Sequence, residues 1–171
     1  MEISLSDEDI LRVLPRAKFT PYNKLIYIND IRDLLGNDGV GIILYLTSDH
    51  YGHWTTIFLR DGKLSYFNSY GIEPDSDFRF IKPSVRIEEN EVKPILFELI
   101  AKSGYICEYN NHCLQKHSND VDTCGRHVIS RIFNRHLDPN EYAKRLKHVA
   151  KINNMTTDEL VVEMTRPYLG K

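Results

Sequence analysis

The chain has 171 residues, 42% of them hydrophobic and 27% charged, with a formal net charge of −2. That length suits one domain over residues 1–171 with a real core, and the charge balance excludes a strongly basic nucleic-acid binder. Three cysteines cannot all pair within one chain; with no N-terminal apolar segment of signal type the expectation is a protein of a reducing compartment that is not secreted, and no run of about 18 apolar residues offers a membrane span.

Ser6 caps a short amphipathic segment, residues 7–14, closed by Pro15. The next stretch, through Pro21 and Tyr22, reads as loop. Asn29 then caps a short helix over 30–35, stopped by Gly36. Residues 39–46 (GVGIILYL) form an apolar run rich in β-branched side chains and read as a buried strand. Residues 48–52 read as a turn. A strand over 53–59 follows, then the hairpin signal Asp61-Gly62, then a returning strand over 64–67. Folding at Asp61-Gly62 pairs residues whose numbers sum to about 123. His53 then starts one strand and Asn68 ends the other, so both side chains stand at one rim of the sheet.

Residues 73–83 are polar and read as loop, and 92–102 (VKPILFELIAK) read as a helix with Pro94 in its first turn. Short strands are expected over 105–109 and 113–116. A helix over about 124–135 comes next, then one over 138–151 with Asp138 as N-cap and Pro139 at N1. The last helix spans 158–165, capped by Thr156 or Thr157. No repeat, low-complexity tract or linker divides the chain. Strands in the middle with helices before and after give an α+β class.

Chemistry concentrates in residues 115–127 (QKHSNDVDTCGRH). Val128, Ile129, Ile132 and Phe133 fall at helix spacing, so a helix begins near Cys124, with Asp122 or Thr123 as its N-cap. A cysteine there faces unpaired N–H groups and the positive end of the helix dipole. Both favour the thiolate, which makes Cys124 the first candidate nucleophile. Thiol-based acyl transfer also needs a histidine, a group to orient it, and donors for the oxyanion. His53, Asn68 and Gln115, with the Cys124 N–H, can supply these. Each has an ordinary alternative: one of seven histidines, a turn asparagine, a surface glutamine. The constellation weighs more than its members.

Gly52-His53-Trp54, Phe67-Asn68-Ser69-Tyr70-Gly71, Gln115 and Asp122-Thr123-Cys124-Gly125, in that order, resemble the adenain-like cysteine proteases. That clan includes adenovirus-type maturation proteases and deconjugating proteases for SUMO-like modifiers. The resemblance covers about residues 40–135. It implies an α+β fold, a central mixed or antiparallel sheet flanked by helices, and a nucleophile at a helix N-terminus. It also implies His53 as base, Asn68 as orienting residue, Gln115 as oxyanion donor and Cys124 as nucleophile, with Trp54 covering the His–Cys pair. Two departures stand out. Many relatives carry a carboxylate where Asn68 stands, so Asp75 or Asp77 is a second candidate for that role. The gap between Gln115 and Cys124 is also long, which brings residues 116–119 into view if the loop does not bulge.

The Thr-Cys-Gly-Arg-His segment is most similar to proteases of virophages, Polinton-type elements and large DNA viruses. The implied function is endoproteolytic maturation of capsid or other virion precursors, by a monomer without cofactor or metal, in virion and host-cell cytoplasm (virus factory). A peptide or DNA activator is left open, and no membrane partner is expected. The alternatives are a deconjugating protease for ubiquitin or a SUMO-like modifier, and a non-catalytic binding module on the same fold. A weaker one is a zinc adaptor using Cys107, His112, Cys113, His117 and Cys124, whose spacing lacks the usual ligand pairs. Cys107 and Cys113 otherwise read as a core and a strand residue. The basic positions Arg131, Arg135, His136, Lys144, Arg145, Lys147 and His148 read as a solvated helix face.

Overall fold

Asp61 and Gly62 both take positive φ, 49° and 73°, the backbone of a tight hairpin turn whose twist suits the flanking strands. The computed structural model, which describes residues 4–48 and 51–170, joins β3 (Tyr51–Arg60) to β4 (Lys63–Phe67) through this turn. Arg60 lies opposite Lys63 and Thr56 opposite Phe67, the register expected from the turn. On its other side β3 pairs antiparallel with β2 (Val40–Ser48). The parallel strands β1 (Lys18–Pro21) and β5 (Cys107–Tyr109) close the two edges. The sheet is mixed, in the order β1-β2-β3-β4-β5. Residues 49 and 50 of the expected 48–52 turn lie outside the described residues.

Both faces of the sheet are buried, which explains why β2 reads as a continuous apolar run. One face carries Ile43, Tyr45, Ile57, Leu64 and Tyr66 against α3 (Ile95–Lys102) and the 3₁₀ turn Tyr22–Tyr27. The other carries Val40, Ile42, Trp54, Phe58 and Phe67 against α1 (Asp7–Val13), α4 (Cys124–Phe133), α5 (Pro139–Ile152) and α6 (Thr157–Leu169). Alternation along the strands puts His53, Thr55 and Ile57 on the first face, with Asn68 continuing the Leu64 and Tyr66 row. The helix that starts with Cys124 packs on the opposite face. Val128, Ile129 and Ile132 anchor it there, and Arg131 is buried between the rings of Phe58 and Tyr142, 5.0 Å from each centroid.

Several local expectations are corrected. The stretch through Pro21 contains β1, an edge strand where proline's missing N–H costs nothing. Asp30, not Asn29, caps the next turn, through its side chain to Arg32 N–H. The 73–83 loop contains a 3₁₀ turn, Ser76–Arg79, and α2 (Pro83–Glu88) follows it. Pro94 stands at the N-cap of α3 rather than inside it. Residues 113–116 form no strand, because Leu114 and Gln115 both donate their N–H to Ser69 O and none is left for a ladder. Among the described residues no helix is long and apolar enough to cross a membrane.

Thr156 caps α6 in a reciprocal box with Glu159, as Ser6 caps α1 with Asp9. Thr156→Ala is expected to cost about 1 kcal/mol and to lower the calorimetric midpoint by about 2–4 °C.

Candidate active site

His53 and Asn68 meet where β3 begins and β4 ends. His53 Nε2 lies 2.9 Å from Asn68 Oδ1, and both side chains are buried. The amide orientation is set by its other partners. Tyr70 N–H donates to Oδ1 at 2.9 Å, and Nδ2 donates to both Asp77 oxygens at 3.1 and 3.0 Å. Oδ1 can only accept, so His53 carries its proton on Nε2 and leaves Nδ1 free as a base. Asp75, the other carboxylate considered for this role, is committed to Tyr45 OH and Phe97 N–H.

The 68–71 turn also delivers Gln115. Gly71 has φ +73°, and a Cβ there would sit 2.5 Å from the His112 carbonyl carbon. Only glycine lets the turn press against the segment leading to Gln115. Ser69 OH donates to Gln115 Oε1 at 2.6 Å, which turns Nε2 to Val121 O at 3.3 Å and Tyr70 OH at 3.5 Å. These are long contacts that a better acceptor can replace. Tyr70 lies flat on the His53 ring, centroids 4.5 Å apart, and His117 lies on Tyr70 at 4.0 Å.

Cys124 opens α4, as expected, but its thiol behaves otherwise. Burial pushes it up to about 12; main-chain groups of Trp54 and Gly125 pull the other way, and Asp122 adds to the rise. Sγ–H donates to Asp122 Oδ1 at 3.6 Å. The resting sulfur is a thiol, because burial outweighs the helix terminus. Thr123 occupies the N-cap position without a side-chain cap bond, its hydroxyl going to Asp158 instead.

Asp158, from α6, resolves the long gap before Cys124. It accepts from Lys116 N–H at 3.0 Å, from Thr123 OH, and from His127 Nε2–H at 3.0 Å. Thr157 OH donates to Leu114 O. The 116–123 loop bulges between two ends held by one carboxylate, so Gln115 and Cys124 line the same cleft. That cleft, about 440 Å³, is also lined by His53, Tyr70, Asp77 and His117. All four candidate residues, His53, Asn68, Gln115 and Cys124, are therefore brought together, the asparagine from behind the histidine. Trp54 does not cover the pair. Its ring packs on Phe19 at 5.4 Å, its Nε1–H donates to Leu5 O, and it lines a neighbouring hollow. Tyr70 takes the covering position.

The sequence assigns no role to Ser69, Tyr70 or Asp158, and offers His117 only within the zinc set and the 116–119 stretch and Asp122 only as an N-cap. Ser69 and Tyr70 lay inside the motif; Asp158 had no sequence signal beyond a first-turn acid. Among the described residues no three His, Cys, Asp or Glu are grouped to hold a metal. Cys113 is exposed in a loop rather than in a strand. Arg131 is buried and Arg135 faces Asp38 at 3.6 Å, so they do not belong to an open basic face.

Two outcomes follow from the charges. Burial holds His127 below its usual range although Asp158 opposes this. Burial would raise Asp158, but hydrogen bonds from His127, Thr123 and Lys116 outweigh it and hold the carboxyl low. Both depressed groups give stability that is present at neutral pH. The His127 part is lost as pH falls below about 6.5, and the Asp158 part only below about 4. Urea midpoints measured from pH 7.5 to 5 should fall, and the fall should flatten in His127→Gln. Separately, Asp122→Asn removes the negative charge beside the thiol, so alkylation of Cys124 at pH 7.5 should speed up by about threefold or more.

No protein-family model matches the chain. In the crystal structure of the ASFV pS273R protease a similar fold is found at a TM-score of 0.43 and 16% identity, over 81% of this chain and 61% of that one. The chain thus spans less than two thirds of that protease's length. The uncharacterized protein V9 of the Sputnik virophage is 36% identical over 166 residues, which cover 96% of this chain and 95% of V9. With that identity running along nearly the whole of both sequences, the chain belongs to the family of virophage protein V9.

Proposed function

We propose that the protein is a cysteine endopeptidase, with Cys124 as nucleophile, His53 as base, Asn68 as orienting residue and Gln115 as oxyanion donor. The observation that carries this is the contact of His53 Nε2 with Asn68 Oδ1, an atom that only accepts, on a cleft lined by both His53 and Cys124. His53 Nδ1 takes the thiol proton as sulfur adds to the peptide carbonyl carbon. The oxyanion accepts from the Cys124 N–H and from Gln115 Nε2–H, which leaves Val121 O and Tyr70 OH. His53 then protonates the departing amine as the C–N bond breaks. Water, deprotonated by His53, attacks the thioester, and the C–S bond breaks to release the acid.

The substrate we propose is a capsid or other virion precursor, cut in the virus factory or the assembling particle. The virophage relative supports a viral setting. A deconjugating protease for ubiquitin or a SUMO-like modifier would use the same steps, so the substrate decides between them. The resting thiol and the internally bonded Gln115 amide also give a peptide or DNA activator a defined task, to free both groups.

Fluorescent electrophile labelling near pH 7.5 tests the chemistry. Cys124 should react faster than Cys107 and Cys113, and His53→Ala should slow it by about 100-fold or more. Cys124→Ala should abolish cleavage of a co-expressed capsid precursor. Equal labelling of all three thiols, with and without candidate activators, would leave a binding module as the better description.

A further inference from the structure

We propose that Asp77 is a positioning residue for His53, acting through Asn68: it locks the amide so that Oδ1 faces the imidazole, and it supplies the negative charge that an asparagine cannot. The inference rests on the assignment of His53 as the base, but it has its own readout.

The geometry is that of a relay. Asp77 lies in the 3₁₀ turn Ser76–Arg79 and is 4% exposed. Both of its oxygens face the Asn68 amide nitrogen, at 3.1 and 3.0 Å, and the other end of that amide meets His53 Nε2 at 2.9 Å. A carboxylate has no proton to give, so it forces Nδ2 toward itself and Oδ1 toward the histidine. Without Asp77 the amide would keep only the Tyr70 N–H bond as a guide to its orientation.

The charge matters as much as the lock. Once His53 holds two protons, an amide oxygen offers only a dipole, whereas a carboxylate behind it in a poorly hydrated site offers a full charge. The interaction is felt at the Asp77 end. Burial raises the Asp77 carboxyl, while His53, the Asn68 amide and Arg79 pull it down. The other groups facing Asp77 are Asp75 in the preceding residues, Glu91 after α2, Tyr45 on β2, Tyr66 on β4 and Tyr70 in the 68–71 turn. Those facing His53 are Tyr70, stacked upon it, and His127 on α4. Among the groups that pull the Asp77 carboxyl down, His53 outranks Arg79, so a negative charge on Asp77 is directed first at the imidazole, through Asn68, and only then at Arg79.

The test is NMR titration of the His53 ring in the intact chain, wild type against the isosteric Asp77→Asn, which keeps a hydrogen-bond acceptor and removes the charge. The pH at which His53 takes up its second proton should fall by about 0.5–1 pH unit. The acid limb of Cys124 alkylation should move with it. An unchanged midpoint, with only a loss of thermal stability, would overturn the proposal and mark Asp77 as structural. Should the variant fail to fold, ring ¹⁵N shifts of the wild type decide the lock: Nε2–H at high pH supports it, and Nδ1–H overturns it. Failure of the protease assignment is seen elsewhere, as a Cys124 no faster than Cys107 or Cys113, while the His53 titration still reads the relay.

Discussion

The hydrogen bonding of Asn68 is the constraint on which the rest of the cleft depends. Its Oδ1 accepts from His53 and Tyr70, its Nδ2 donates to Asp77, and its main-chain carbonyl accepts from Gly71 N–H and Asn110 Nδ2. Asn68 has no measurable exposure. Satisfied throughout, such a buried polar network specifies one arrangement; broken at one point, it leaves desolvated groups without partners. The histidine tautomer, the 68–71 turn, the seat of Gln115 through Ser69 and the 3₁₀ turn bearing Asp77 all follow from this one side chain keeping every partner.

The parts of the molecule governed by local rules were legible in the sequence. The Asp61-Gly62 turn fixed the hairpin register, and the register put His53 and Asn68 on the same row. Capping by Ser6, Asp138 and Thr156 marked three helix starts. What could not be read depends on distant partners. β1 has four residues and exists because β2 offers an edge. Residues 113–116 alternate like a strand, yet the N–H groups of Leu114 and Gln115 are taken by Ser69 O and that of Lys116 by Asp158. Thr123 sits where a capping hydroxyl belongs, but Asp158, 35 residues further on, captures it. Asp77 had entered consideration as a substitute for Asn68; the structure puts it behind that residue instead.

The state of Cys124 reverses a simple expectation. The start of a helix favours a thiolate, yet Cys124 is 2% exposed with Asp122 beside its sulfur, and desolvation wins. A protonated thiol is a poor nucleophile until a base takes its proton. On the proposed protease reading, its reactivity would rest on His53 accepting the proton as the thiol turns from Asp122. Tyr70 and His117, stacked over the imidazole, line the approach.

The tie made by Asp158 has a consequence for the life of the chain before it is complete. The β3–β4 hairpin closes over a few residues and can form early, carrying His53 and Asn68 with it. Asp158 and Thr157 belong to α6, close to the C-terminal end of the described residues, and they hold both ends of the segment between Gln115 and Cys124. During synthesis, which proceeds from the N-terminus, the cleft therefore stays unfinished until α6 has left the ribosome and docked. On the proposed protease reading, a nascent chain would gain its imidazole before its thiol and amide are fixed opposite each other.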